Sequence, residues 1–581
     1  MYHKKQKQIL PLLLLAIAVL FQVSCTKQEP SDLSSESIIP KPVSVVSTGA
    51  YFSLKPNTVI YVTGESPELL GIGHYLAEKL RPSTGYSLNV KSTADNPGKG
   101  SIILSLEGTS AAAANSEGYE LHITAKQLRL TAATHAGLFR GVQTIRQLLP
   151  ARIEMTERQQ GPWKIATGTI SDYPEYSHRG AMLDVARHFF GIDDVRRFID
   201  FLAYYKMNSL HLHLSDDQGF RIELEKHPDI TKKASIRKSS EFNKKNFSSK
   251  PYGGYYTKKE IKEIIDYCHE RYIKVIPELD IPGHTTAILH ARTDLSCRGA
   301  NIELKTRGGI FPDILCAGNP DTYNVIKDIL DEICEIFPDE YIHLGGDEAP
   351  KVRWDNCPKC KAAAESLKLE NMEQLQGHFV NTFSEYLQSR GKSVIVWNES
   401  INGGNLNRAA LVQLWMDKEN KAVRWANSGN SIILSPFRPY YMDYPYGMYP
   451  LKQVYSYEPL HLKGLDKTGQ ENVKGVESPV WTEHISDFDT MTYMCFPRFM
   501  AVAETAWTSP EKKGYPDFEK RAEFFCRILN ETGLITAPKK DWNPLSAKRI
   551  SETARFFFNA VSLDMIRGFI SPDKESKDEK N

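Results

Sequence analysis

Eight short runs of β-forming residues recur through the second two thirds of this 581-residue chain, and their spacing constrains the fold more than any other feature. They read RGAMLDV, SLHLHLS, KVIPELD, YIHLGG, SVIVW, ALVQLW, SIILSP and KGVESPVW. Amphipathic stretches stand between many of them, among them DDVRRFIDFLAYYK, TKKEIKEIIDYCHERY and DTYNVIKDILDEICEIF, with apolar residues at helical spacing. Strand and helix alternating eight times over roughly 330 residues predicts an α/β fold, a (β/α)8 TIM barrel spanning 173–510. Such a barrel gathers its chemistry at the C-terminal ends of its strands. The runs end on Asp184 and Arg187, Asp216 and Asp217, Asp280 and His284, Asp347 and Glu348, Trp397, Trp415, Tyr441 and Asp443, and Trp481 and Glu483. A ring of acids, one arginine and several aromatics suits a sugar, because flat rings cover its apolar face and charged groups satisfy its hydroxyls.

The remainder of the chain divides by pattern. Residues 38–172 mix β-like runs (TVIYV, SIILSL, YELHIT, QLRLTAA) with two helical patterns, ESPELLGIGHYLAEKL and HAGLFRGVQTIRQLL, and predict a small α+β domain. Residues 511–571 read as a C-terminal helical segment, and the charged end at 572–581 as a disordered tail. At the other end, Lys4, Lys5 and Lys7 precede the apolar run ILPLLLLAIAVLF and then QVSC. That order describes an export signal over 1–24, too short in its apolar part for a spanning helix of ~20 residues. Cys25 stands where a bacterial lipoprotein is lipidated, although Gln22 occupies the position where Leu is usual. Residues 25–37 read as a lipoprotein tether. A membrane partner reached through a lipid on Cys25, in a bacterial cell envelope, is the corresponding expectation. A plain secretory peptide with an incidental cysteine is the alternative.

Charge excludes one class of partner. Lys and Arg number 72 against 71 Asp and Glu, with no concentrated basic face beyond the N-terminus and Lys244–Lys245, so nucleic acid is not expected. Eight cysteines follow Cys25. Cys268 and Cys334 fall in helical apolar patterns and read as buried thiols. Cys297 and Cys316 flank one Gly-containing loop and could be joined. CPKC at 357–360 suits a redox motif or half a zinc site, but with no second CxxC pair in the sequence a local structural role is favoured.

The segment YIHLGGDEAP at 341–350 carries the most specific signal. With LDVARHF, LHLHLSDDQGF, PELDIPGH, VQLW, YYMD, WTE and FPRFMAVAETAW in order along the chain, it resembles the β-N-acetylhexosaminidases of glycoside hydrolase family 20. The resemblance extends to the N-terminal α+β domain. It implies hydrolysis of β-linked GlcNAc or GalNAc from the ends of glycans, with no cofactor and no metal in the chemistry. The nucleophile would be the substrate's own acetamide oxygen, which passes through an oxazolinium ion and explains how two neighbouring acids suffice. Glu348 would be the acid/base, Asp347 would hold the acetamide N–H, and Tyr441 would hold its carbonyl, with Tyr440 as competitor for that role. Asp216 and His284 would tune the acid/base. Arg187 would bind sugar hydroxyls, as would Asp443 and Glu483 on the O4 and O6 side. Trp397, Trp415 and Trp481 would supply the aromatic walls. Asn398 after Trp397, Phe220 after DDQG and VESPVW before Glu483 depart from the family's usual residues.

Other readings are a family member releasing a disaccharide such as lacto-N-biose, a catalytically silent sugar-binding lipoprotein, and a metal-dependent hydrolase. The silent binder predicts loss of Asp347, Glu348 or Tyr441, and all three are present. The metal reading has His211 and His213 on one strand face, but their companions fit a sugar site better. Linkage, GlcNAc against GalNAc preference and oligomeric state are not legible at this level.

Overall fold

The computed structural model describes residues 31–93, 97–107, 112–242 and 247–560. The export signal expected over 1–24, Cys25 and the tail expected over 572–581 lie outside these residues, as do the first part of the tether and the last part of the C-terminal helical segment.

The first domain is a seven-stranded mixed sheet: β1 (Ser44–Leu54), β2 (Ile60–Thr63), β3 (Val90–Thr93), β4 (Ser101–Leu106), β5 (Tyr119–Ile123), β6 (Gln127–Ala132) and β7 (Trp163–Asp172), in the order β1-β7-β5-β6-β4-β2-β3. The four β-like runs read from the sequence became β2, β4, β5 and β6. Helix α1 (Pro67–Thr84) begins where the Ser66 side chain accepts from the Leu69 N–H and stops at Gly85 in the left-handed conformation. Helix α2 (His135–Leu148) is buried along almost its whole length because it serves two cores. Leu138, Val142 and Ile145 pack on the sheet, while Phe139 belongs to the barrel core. Within the segment expected as a tether over 25–37, Leu33 is buried in the sheet's core and Asp32 caps the turn Leu33–Ser35, so these residues belong to the folded domain.

The barrel closes with the eight runs as its eight strands: β8 (His178–Asp184), β9 (Ser209–His213), β10 (Lys274–Glu278), β11 (Tyr341–His343), β12 (Ser393–Trp397), β13 (Leu411–Leu414), β14 (Ile432–Leu434) and β15 (Val473–Val480). Every pairing is parallel, and β15 pairs with β8 to complete the ring. Full-length helices cover the first half: α3 (Ile192–Tyr204), α4 (Lys258–His269) behind a Thr257/Glu260 capping box, α5 (Pro320–Ile336) and α6 (Met372–Ser389). The second half is less regular. A 3-10 turn at Asn398–Ile401 stands in for the helix after β12, and α7 (Lys421–Asn427) has only 7 residues. The wall is finished by α8 (Arg498–Trp507) and α9 (Tyr515–Glu531), followed by α10 (Ser546–Ala560). Among the described residues no helix is long and apolar enough to cross a membrane.

Buried charge fastens the two domains. Glu117 of the first domain accepts from Arg140 of α2 at 2.8 Å and from Arg179 of β8. Close by, Lys206 of the barrel donates to Asp172 and to the Tyr119 hydroxyl, both at 2.9 Å, and Trp507 donates to Asp172 at 2.8 Å. Burial alone would raise the Glu117 carboxyl, but Arg179 and Arg140 outweigh it and hold it at about 2 against an ordinary 4.5. Its stabilisation is therefore complete above about pH 4.5 and is lost as pH falls toward 2. Glu117→Gln should lower unfolding stability at pH 7 by about 3 kcal/mol, since it strands two buried guanidinium groups. It should also flatten the loss of stability between pH 4.5 and 2, as measured by urea unfolding at a series of pH values.

Candidate active site

The site is built upward from one carboxylate. Glu278, the last residue of β10, is wholly buried in the barrel. Its oxygens meet His213 from β9, His211 at 3.1 Å, His343 of β11 at 3.1 Å, and the Trp397 indole N–H of β12 at 2.7 Å. Burial pushes toward the neutral acid, and the three imidazoles reverse that, holding Glu278 well below the usual carboxylate range. His211 also faces Glu477 at 2.8 Å, and against burial the two carboxylates lift it to about 9.

From this floor a chain of alternating charge climbs to the mouth. His213 reaches Asp216 through its second nitrogen at 2.9 Å. Asp216 also takes the Arg187 guanidinium at 2.6 Å and His284 at 3.3 Å. His284 Nδ1 lies 3.2 Å from Asp217, and its Nε2 lies 3.5 Å from Glu348. Despite burial, Asp216, Asp217 and Glu348 hold the His284 imidazole well above its ordinary range. Asp216 is correspondingly lowered, with Arg187 and His284 overcoming its desolvation.

Backbone geometry sets the two acids. Gly345 and Gly346 follow β11 with φ of +64° and +97°, and Glu348 itself has φ +44°. Positive φ is costly for a glutamate, and such conformations persist where the surroundings impose them. Side chains are excluded at both glycines: a Cβ on Gly345 would overlap the Asp280 carboxyl, and one on Gly346 would overlap the Ser400 hydroxyl. Asp280 Oδ1 accepts from the Gly346 N–H at 3.0 Å, fixing the turn. Asp347 is buried, and its Oδ1 has no hydrogen-bond partner among the described residues. Burial and the charges of Glu348 and Glu278 push its carboxyl up to about 6, with His284 opposing them. The Glu348 side chain is 20% exposed.

Aromatic side chains line the other flank. Trp415 lies at 28° to Tyr441 with centroids 6.3 Å apart, and Tyr441 is 6.1 Å from Trp481. Tyr440 is wholly buried and packs instead on Tyr457, so only Tyr441 belongs to this wall. The Arg187 guanidinium sits 4.8 Å from the centre of the Trp481 ring and 3.9 Å from Glu483. Burial raises Asp443, with the charge of Glu483 adding to it, and burial likewise raises Glu483. All eleven residues expected at the site therefore meet at one end of the barrel. Trp397, 1% exposed, has its indole N–H tied to Glu278 and its ring 6.1 Å from that of Trp481, so it joins the base of the site to the aromatic flank.

Further carboxylates belong to the assembly besides Asp184 and Glu477, which face Arg187 and His211. Glu278 is its base, Asp217 anchors His284, and Asp280 underlies Asp347. Glu399 accepts the Trp415 indole N–H at 2.9 Å and is raised by burial and by Asp347. Asp217 and Asp280 end strand-like runs and were visible as such. Glu399 had a weaker signal, its place two residues after Trp397.

Comparison with known proteins decides the family. The profile "Glycosyl hydrolase family 20, catalytic domain" matches residues 176–510, and "Glycosyl hydrolase family 20, domain 2" matches residues 35–173. This chain belongs to glycosyl hydrolase family 20. A beta-hexosaminidase of Porphyromonas gingivalis is 33% identical over 533 residues, covering 90% of this chain and 67% of that protein. Among solved structures, the family 20 beta-N-acetylhexosaminidase of Streptomyces coelicolor superposes with a TM-score of 0.77 at 35% identity, covering 89% of this chain and 100% of the other. A mutant Streptomyces plicatus beta-hexosaminidase in complex with the product GlcNAc gives a TM-score of 0.77 at 35% identity, with 89% and 98% covered. The family 20 assignment makes this chain a glycoside hydrolase of the β-N-acetylhexosaminidase class.

Gly345→Ala tests the turn that presents both acids. The added methyl must displace Asp280 and with it Asp347, and a misplacement of about 1 Å costs on the order of 100-fold. A fall in kcat of that size, with circular dichroism unchanged, is the expected outcome.

Proposed function

We propose that this family 20 enzyme is a retaining exo-β-N-acetylhexosaminidase that removes terminal β-linked GlcNAc or GalNAc by substrate-assisted catalysis. One observation carries the reading: a buried Asp347 with an unpartnered oxygen stands directly beside a more exposed Glu348. An unpaired buried acceptor is unfavourable until a donor arrives, and the N–H of a 2-acetamido group is such a donor. With the amide held by Asp347 and Tyr441, its carbonyl oxygen attacks the anomeric carbon while Glu348 protonates the departing glycosidic oxygen. The oxazolinium ion carries its positive charge beside Asp347, which stabilises it. Glu348 then takes a proton from water as the water opens the ring at the anomeric carbon. Two displacements at one carbon leave its configuration unchanged.

The remaining groups support these steps. His284, held well above its ordinary imidazole range by Asp216, Asp217 and Glu348, lies 3.5 Å from Glu348 and orients its carboxyl toward the glycosidic oxygen. Arg187 is held by Asp184, Asp216 and Gln218, and so offers sugar hydroxyls a guanidinium that cannot swing. Asp443 and Glu483 serve the far hydroxyls, and Trp415, Trp481 and Tyr441 surround the ring and acetamide. The GlcNAc bound in the Streptomyces plicatus relative supports the sugar class. We also propose that the protein is exported and anchored to a membrane by lipid on Cys25. The basic, apolar and small-residue order of its first 25 residues supports this, and the mass of the mature N-terminal peptide tests it.

Release of p-nitrophenol from its β-GlcNAc and β-GalNAc glycosides is the primary test. Wild type should turn over, and Glu348→Gln should lose roughly 10²- to 10⁴-fold in kcat. No turnover of either glycoside by folded wild type, or equal turnover by both proteins, overturns the assignment. Asp347 must be ionised to hold the amide, so kcat/KM should rise with pH through about 6. Asp347→Asn should lose about 10²- to 10³-fold in kcat, and the rise through that pH should vanish.

A further inference from the structure

Beyond the catalytic ring, the fold assembles one group of side chains that the glycosidase chemistry does not use. Cys297 and Cys316 lie on the loop after β10. Cys357 and Cys360 lie in the segment after β11, at the start of the short helix Pro358–Ser366. The four sulfurs lie within 4.8 Å of one another. Cys316 Sγ is 3.8 Å from Cys357 Sγ and 3.6 Å from Cys360 Sγ, and Cys360 Sγ is 3.8 Å from Cys297 Sγ. Cys316 and Cys360 each face two other sulfurs at nearly equal distance. Disulfide pairing joins sulfurs one to one at about 2.05 Å and leaves no reason for such sharing. A tetrahedral zinc ion does supply the reason, because Zn–S bonds of about 2.3 Å place the sulfurs about 3.8 Å apart.

The surroundings are shaped for a closed centre. Ser296 and Leu315 form an antiparallel bridge, with Cys316 N–H donating to Leu295 carbonyl at 2.9 Å, so Cys297 and Cys316 emerge side by side. A Cβ on Gly318 would overlap the Lys359 backbone, and this contact lets the Cys316 turn lie directly against CPKC. Outside the sulfurs, Trp354 donates to the Leu315 carbonyl at 2.9 Å and Arg353 meets Asp313 at 3.0 Å, tying the same two segments. Cys316, Cys357 and Cys360 are buried and Cys297 is partly so. The sequence shows only one CxxC, and the fold brings the missing pair from another loop.

We propose that Cys297, Cys316, Cys357 and Cys360 bind one structural zinc ion that clamps the loop carrying His284 to the segment carrying Asp347 and Glu348. The four thiols lose four protons to solvent as they take up Zn²⁺, leaving a tetrathiolate centre of net charge −2. With all four positions filled by protein, the ion has no open site and takes no part in the sugar chemistry.

The test uses the full-length protein purified without chelator. Elemental analysis should find one zinc per chain, and intact mass under denaturing conditions should be that of the fully reduced polypeptide. Exchange for Co²⁺ should give sulfur-to-cobalt charge-transfer bands and intense d–d bands of a tetrahedral thiolate site. Cys316→Ser with Cys360→Ser should abolish zinc binding. If that variant does not fold, stripping wild type with a mercurial and chelator should release the zinc and lower Tm by about 5 °C or more. A mass lowered by the four hydrogens of two disulfides, a zinc-free protein with free thiols, or zinc retained in the double variant would each overturn the proposal.

Discussion

A carboxylate with no access to water needs charged or hydrogen-bonding partners, and Glu278 is the point where this protein meets that need. Three histidines and a tryptophan from three neighbouring strands converge on it. Each partner is thereby fixed in orientation, and each fixes something above it. His213 holds Asp216, Asp216 holds Arg187 and His284, and His284 stands beside Glu348. The reacting end of the barrel is thus the top of a column of alternating charge. Replacing its lower members with apolar residues of equal volume could leave the barrel folded, yet would release the groups at the top from their geometry.

The same column explains why two adjacent acids differ in behaviour. Asp347 is enclosed, carries an unsatisfied oxygen and rises to about 6, whereas Glu348 reaches toward solvent and His284. Their difference follows from two glycines at positive φ and one glutamate in the left-handed region, which turn successive side chains into unlike surroundings.

Much of this was legible because it depends on short-range pattern. Eight β-rich runs gave eight strands, and the residues at their ends gave the pocket. What escaped depended on three-dimensional closure. The partner of the Trp397 indole N–H was not legible, since it is a glutamate 119 positions away in the chain. Glu399 was missed because a 3-10 turn, not the regular helix a repeating unit implies, returns it to the mouth. The small domain's β1, β3 and β7 lacked clear signals because mixed pairing and strand irregularity blur the alternation, as at the register shift between Ser47 and Tyr51. The four-cysteine group was invisible for the same kind of reason: one half is a tight motif, the other is split across a loop.

Taken with the proposed lipid on Cys25, the burial of Leu33 would bear on where this enzyme works. A chain held by lipid at Cys25 would have only residues 25–30 between the membrane and the folded body. Fully stretched, six residues span about 20 Å. The catalyst would then be confined to a thin layer at the bilayer, and its encounter with glycans would become a search in two dimensions. Reach, as much as pocket chemistry, would decide which sugar chains it trims.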